Sequence, residues 1–280
     1  MKYYITINSF TNSTLDEILE AVSTCGYSGI EIQATPSIFN WKSYLEKINS
    51  YSLSVIGVTG DWTKKQTQNE NHNPILLTND PKKISYSIQY IKSCIKMSNY
   101  FGGYFFNICL MSDHPVSLDF NHERISIREK KKILKKSIPI LHELSEFANE
   151  YGINLLIEPL NRYSTPFCVS AKDAIDVSSS INNENLMIML DTFHMNIEET
   201  DFYDTIKFSK QFLGHVHLSD SNRLMPGSGH LDFDLIMRSL NYINYNKNMS
   251  FEIILPKENF SYLLKSGLNY IKKIVTKYNL

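Results

Sequence analysis

Glu158, Asp191, His217 and Glu252 follow one another at intervals of 33, 26 and 35 residues. Each lies at or near the C-terminal end of a short apolar, β-branched run: 153–157, 186–190, 212–216 and 251–255. That interval is the rhythm of consecutive strands in a (β/α)₈ barrel, whose functional groups project from the C-terminal strand ends onto one face. Two Glu, one Asp and one His gathered there make a hard, oxygen-rich donor set for one divalent cation. The expected chemistry is metal-assisted reaction of a small polar substrate. A single strand-end carboxylate is ordinarily a loop or salt-bridge residue; four at successive strand ends carry the reading together.

The flanking residues extend it. Asp191 and His194 lie three apart on a strand-to-loop turn, where one side chain ligates and the other reaches a substrate hydroxyl. His215 and His217 alternate by two and share one strand face. His217, nearer the C-terminal end, is the better ligand, and His215 reads as a hydrogen-bonded core residue lower in the barrel. Arg223, six residues past His217, is placed to grip a hydroxyl, enediolate or phosphate oxygen. Gly227 and Gly229 keep its loop tight, and Asp232 can cap the next helix. Glu252 stands in an otherwise apolar run, where burial is costly without a counter-ion.

Eight strand-like runs can position these groups: 3–8, 29–33, 53–59, 104–109, 153–158, 186–190, 212–217 and 249–255. Several are continuously apolar, as parallel strands covered by helices should be. A helix-compatible segment follows each, which predicts a single-domain α/β (β/α)₈ TIM barrel over residues 1–280. Thr14 and Glu17 form a capping box at the first helix, and Gly26 suits its C-terminal end. A longer helix is predicted over 122–151, kinked or divided by Pro139. Its basic run, 128–136, reads as a solvated outer face. The polar stretch 64–73 is expected as a long βα loop on the catalytic face. Trp62 and the aromatics of 39–41 either wall the pocket or pack ordinarily.

Bulk properties narrow the function classes. The chain's 280 residues are 42 % hydrophobic, enough for one large packed barrel, and its formal charge of −1 gives no global preference for nucleic acid or an anionic membrane. No apolar run reaches the length of a membrane span, and the N-terminus turns polar too soon for a signal peptide. Cys25, Cys94, Cys109 and Cys168 form no metal-type spacing and read as reduced thiols. A cytoplasmic protein is expected. No glycine-rich nucleotide motif is present.

The segments EPLNRY (158–163), LDTFHMNIEE (190–199), GHVHLSDSNRLMPGSGH (214–230) and FE (251–252) resemble the ketose 3-epimerases. That family, typified by D-tagatose and D-psicose 3-epimerases, belongs to the xylose-isomerase-like sugar phosphate isomerase/epimerase TIM barrels. The resemblance implies one divalent metal, Mn²⁺ or else Co²⁺ or Mg²⁺, held by Glu158, Asp191, His217 and Glu252. It also implies that one of Glu158 and Glu252 removes the C3 proton of a ketose and the other returns it from the opposite side through an enediolate. His194 and Arg223 match the substrate-contacting residues. Ser164 stands where the family has a Glu that hydrogen-bonds the sugar; the shorter side chain leaves room for a modified or phosphorylated ketose. Homodimers or homotetramers are common in such a family.

The same barrel and ligands serve an inosose dehydratase-type lyase or a hydroxypyruvate isomerase-like aldose–ketose isomerase, which differ in where the proton or leaving group goes. An endonuclease IV-like DNA repair nuclease shares the fold. It needs further His and acidic ligands in the first half of the barrel, and none of His72, His114, His122 and His142 ends a predicted strand.

Overall fold

Continuous burial on both faces turns the apolar runs into strands. In the computed structural model, which describes residues 1–10, 13–36, 40–62, 74–114, 116, 125–256 and 259–278, the strands are β1 (Tyr3–Thr6), β2 (Gly29–Gln33), β3 (Ser54–Thr59), β4 (Phe105–Cys109), β5 (Asn154–Glu158), β6 (Leu186–Asp191), β7 (Leu213–Leu218) and β8 (Met249–Phe251). They pair in chain order, all parallel, and β8 closes onto β1. The predicted (β/α)₈ barrel is the observed fold.

Outside the strands lie α1 (Leu15–Thr24), α2 (Trp41–Ser50), α3 (Pro81–Tyr100), α4 (Ile127–Leu134), α5 (Ile138–Glu150), α6 (Ala171–Ser178), α7 (Thr192–Glu198), α8 (Phe202–Ser209), α9 (Phe233–Tyr242) and α10 (Phe260–Tyr278). The Thr14–Glu17 capping box forms at α1, and Gly26 beyond its end takes a positive φ of 86°. Asp232 caps α9 by accepting the Leu235 N–H. The predicted 122–151 helix is divided: a 3-10 turn at Lys135–Ser137 separates α4 from α5. Pro139 falls in the first turn of α5, where its missing N–H leaves no hydrogen bond unmade. Lys131, Lys132, Lys135 and Lys136 are exposed, as expected of a solvated face.

Two strands end well short of their predicted C-terminal limits. After Thr6 the chain turns into a 3-10 turn at Ile7–Ser9, and β8 stops at Phe251, so Glu252 lies just beyond the strand. The stretch following Asp191 is not a bare turn: Asp191 is the N-cap of α7.

Period-two alternation sorts each strand into a helix-facing side and a barrel-facing side. Tyr4, Ile56, Phe105, Leu156 and Met189 form a separate apolar cluster that fills the lower barrel interior. The next inward positions above it are polar: Asn107 on β4, Glu158 on β5, Asp191 on β6, and His215 and His217 on β7, all buried. A register shift aligns two of them. Ile188 pairs with Leu213 but Met189 with His215, so Gly214 is bulged out and Asp191 comes abreast of His217.

Candidate metal centre and active site

Glu158 ends β5, Asp191 ends β6, His217 is the penultimate residue of β7, and Glu252 follows β8. One donor atom from each lies within 4.8 Å of the other three. The quartet expected from spacing is therefore brought together at the C-terminal mouth of the barrel. Three of its members are almost wholly buried, and Glu252 is partly open to the pocket.

Each ligand candidate is held by its own second contact. Asp191 splits its carboxylate: Oδ1 accepts the Phe193 N–H at 2.8 Å and caps α7, while Oδ2 faces the site. Asn107 fixes Glu158: its Oδ1 accepts the Gly60 N–H at 2.6 Å, which turns its amide N–H to Glu158 Oε2, also at 2.6 Å. Cys109 donates its thiol hydrogen to the same oxygen. Glu158 Oε1 is left buried with no hydrogen-bond partner among the described residues, 3.8 Å from His217 Nδ1. A buried acceptor without a partner costs about 1–3 kcal/mol, and a cation at the quartet would satisfy it. The donors present, three carboxylates and one imidazole, fit a divalent ion.

Charge is distributed unevenly. Burial, and then the charge of Glu252, pushes the Glu158 carboxyl up to about 8. Burial acts in the same sense on Glu252, but Arg223 and His217 outweigh it and hold that carboxyl well below the usual range. Arg223 bridges the two sides of the quartet, donating to Asp191 Oδ2 and to Glu252 Oε2. Its guanidinium lies over the Phe193 ring, 4.9 Å from the centroid, a cation–π contact. His217 is hemmed by acids: Nδ1 is 3.0 Å from Glu252 Oε2, and Nε2 is 3.0 Å from Glu31 Oε2. Burial disfavours its charged form, yet Glu31 and Glu252 hold its pKa well above the ordinary imidazole value.

His194 lines the same pocket in a defined tautomer. Asn161 Oδ1 accepts the Tyr163 N–H at 3.0 Å, so its amide N–H points to His194 Nδ1 at 2.9 Å. Nδ1 is thus the acceptor, and Nε2 carries the hydrogen. Burial lowers the pKa of His194 and keeps the ring neutral, leaving Nε2–H as a hydrogen-bond donor in the pocket wall. Ser164 also lines the pocket, with its hydroxyl 3.4 Å from Asn161 Oδ1. Asn8, Gln33, Asp61, Trp62 and Tyr163 complete much of the wall.

The remaining described residues singled out in the sequence divide between the pocket wall, the core and the surface. Trp62 does wall the pocket, packed on Tyr90 and Phe106, whereas Trp41 opens α2 and packs on Tyr100 and Phe101. Phe39, His72, His122 and the loop 64–73 lie outside the described residues. His114 faces Asp113 and the Phe167 ring, and His142 lies on α5. His215 is the satisfied core residue expected, bonded to Tyr104 and Ser250 at 2.8 Å each. Glu31, Thr59 and Asn107 were not anticipated. For Glu31 and Asn107 the signal was present in the isolated polar residues of GIEIQ and FFNIC, and it is the one that singled out Glu252.

The sequence profile of the xylose isomerase-like TIM barrel family matches residues 19–274. The chain belongs to this family. Its resemblance to the ketose 3-epimerases within the family is borne out by a D-psicose 3-epimerase of Enterocloster bolteae, 30 % identical over 251 residues. That alignment covers 88 % of this chain and 79 % of the relative. With the D-psicose 3-epimerases of Agrobacterium fabrum and Ruminiclostridium cellulolyticum the aligned segments span only 36 % and 42 % of the relatives' lengths. A crystal structure of the Clostridium cellulolyticum D-psicose 3-epimerase with D-tagatose superposes with a TM-score of 0.82 at 21 % identity, covering 98 % of this chain and 99 % of the other. The E. coli 3-keto-D-glucoside 4-epimerase does so equally well, at 0.82 and 22 % identity, again covering 98 % and 99 %. At these identities the structural matches establish the family's fold, and its C-terminal barrel mouth is where the quartet lies.

Proposed function

We propose that this protein is a divalent-metal-dependent isomerase of the racemase/epimerase class that inverts C3 of a ketose or of a modified or phosphorylated ketose. The observation that carries this reading is the convergence of two glutamates, Glu158 and Glu252, on one pocket also lined by His194 and Arg223. Inversion at carbon needs one carboxylate to remove a proton and a second to return it on the other side, and the Enterocloster bolteae relative, aligned over 88 % of this chain, carries the name of such an enzyme.

A cation held by Glu158, Asp191, His217 and Glu252, Mn²⁺ by preference and Co²⁺ or Mg²⁺ otherwise, would supply the positive charge that offsets negative charge developing on the substrate oxygens. This chain's own groups do the rest. Glu158 takes or returns the proton on a carboxylate that Asn107 orients by donating to Oε2. His194 donates Nε2–H to a substrate oxygen, and Arg223 orients a neighbouring one with its planar fork. Trp62 and Tyr163 present apolar surface to the sugar face. The protein acts as a cytoplasmic homodimer or homotetramer of a single catalytic domain. Among the described residues no helix is long and apolar enough to cross a membrane.

A second substrate is favoured by a particular observation. Ser164 lines the pocket, where the resemblance implies a sugar-binding Glu in the family, and the chain aligns at 29 % identity over 147 residues with the E. coli 3-dehydro-D-guloside 4-epimerase. A 3-keto-hexoside would place the acidic C–H at C4 beside the ketone and use the same two glutamates. Incubating the Mn²⁺-supplemented protein with free ketohexoses, ketose phosphates and 3-keto-hexosides, then separating products by ion chromatography, decides between them. Formation of a C3 or C4 epimer supports the proposal; dehydration, aldose formation or no product from every compound would overturn it.

A further inference from the structure

Glu31 is 1 % exposed, lies on β2, and belongs to none of the segments that carry the family resemblance. Thr59 donates its hydroxyl to Oε1, and His217 Nε2 lies 3.2 and 3.0 Å from Oε1 and Oε2. His215 Nε2 lies 3.8 Å from Oε2. β8 and β1 separate β7 from β2 in the sheet, so Glu31 meets His217 across the barrel interior, not along a strand edge.

By distance alone, Glu31, His215 and His217 could form a second cation site, since one donor atom of each lies within 4.8 Å of the others. The donor inventory argues against it. Both ring nitrogens of His215 are engaged, Nδ1 by the Tyr104 hydroxyl and Nε2 by the Ser250 hydroxyl, each at 2.8 Å. A neutral imidazole has a single lone pair. When His217 directs that lone pair from Nδ1 toward Glu158 and Glu252, its Nε2 carries the hydrogen and can only donate. Glu31 is the acceptor in place, fixed by Thr59 and buried where an unpaired carboxylate would be very costly.

From this the geometry points to Glu31 as the positioning residue of the metal centre. Its carboxylate takes the Nε2–H of His217 and so presents the Nδ1 lone pair to the quartet. The inference rests on the metal reading above. A carboxylate behind a ligating imidazole fixes the ring's tautomer and orientation and raises its basicity, and losing such a partner typically weakens metal binding about 10- to 100-fold. Tyr104, His215 and Ser250 form the saturated layer that keeps the ring from turning downward.

The test is calorimetric titration of Mn²⁺ alone into the chelator-stripped protein and into Glu31→Gln and Glu31→Leu, with circular dichroism to establish that the variants fold. The expected result is one ion per chain. The dissociation constant should rise about 10-fold in Glu31→Gln, which keeps an acceptor without the charge, and about 100-fold in Glu31→Leu. In parallel, ¹⁵N-histidine spectra of the unmodified Mg²⁺-loaded protein should place the proton of His217 on Nε2. That readout decides the tautomer even where neither variant folds. Variants binding Mn²⁺ within twofold of the parent, two ions per parent chain, or a proton on Nδ1 would overturn the inference. A parent that binds no ion overturns the metal reading and this inference with it; a parent that binds while both variants match it overturns this inference alone.

Discussion

Asp191 shows how one side chain serves local structure and chemistry together. Its Oδ1 caps α7 and its Oδ2 faces Arg223 and the quartet. Asp191→Asn should keep the cap, because an amide oxygen still accepts the Phe193 N–H, while weakening Mn²⁺ binding. Asp191→Ala should lose both, with an added stability cost of about 1 kcal/mol for the cap; calorimetry and chemical denaturation separate the two effects. Glu158→Gln and Glu252→Gln should each leave the fold intact and lower kcat about 10²- to 10⁴-fold. Full turnover in either variant would remove that residue from the proton transfer. Spacing revealed this quartet because successive strand ends recur about one βα unit apart. Glu31 and Asn107 escaped notice because each sits inside an apolar run, where a polar residue reads equally well as a satisfied core group until its cross-barrel partner is seen. Ser164 was visible as a substitution, but only the structure places it on the pocket wall.

Among the elements, the loop carrying Arg223 depends on Asp220. That carboxylate, fully buried, accepts N–H groups from Ser221 at 2.8 Å, Gly227 at 2.9 Å and Leu231 at 3.1 Å. Burial alone would raise its pKa, but these amides and that of Gly229 outweigh it and lower the value. A carboxyl depressed by folding contributes stability that is complete above its unfolded pKa of about 4 and disappears as pH falls through the lower folded value. Thermal melts should therefore show an acid-side loss of stability below about pH 4, and Asp220→Asn should flatten it while making the protein less stable at pH 7. Arg223 itself takes a positive φ of 61°, held where its carbonyl accepts the Ile254 N–H at 2.8 Å. β2 is equally constrained: a Cβ on Gly29 would lie 1.8 Å from the Ser54 carbonyl oxygen. Gly29→Ala should push β2 off β3 and cost about 1–3 kcal/mol, with Glu31 displaced as well. Strand positions were legible from apolar runs, but ends were not. Ile7 and Ile253 continue the hydrophobic pattern although the chain has already left the sheet, because burial under neighbouring loops selects the same side chains as burial in a strand.

For the whole molecule, a regular alternation of runs and helices specified the barrel, since a parallel closed sheet is the arrangement that buries eight such strands on both faces. What that rhythm could not convey is the vertical order inside: an apolar plug, a saturated histidine layer, then an acidic mouth. Three carboxylates in one mouth repel one another, so a bound cation should stabilise the fold. At a Mn²⁺ concentration about 100 times the dissociation constant the gain is about 2.7 kcal/mol, or about 5 °C in Tm for a chain of this size, and excess chelator should reverse it. We propose that these carboxylates exchange a proton at a carbon beside a ketone. That central claim is tested most directly by incubating the Mn²⁺-loaded protein with its turned-over ketose in D₂O and following the sugar by NMR. Deuterium at the inverted carbon of the epimeric product is the predicted result. An epimer formed without deuterium, or no exchange at any carbon next to a carbonyl, would contradict it.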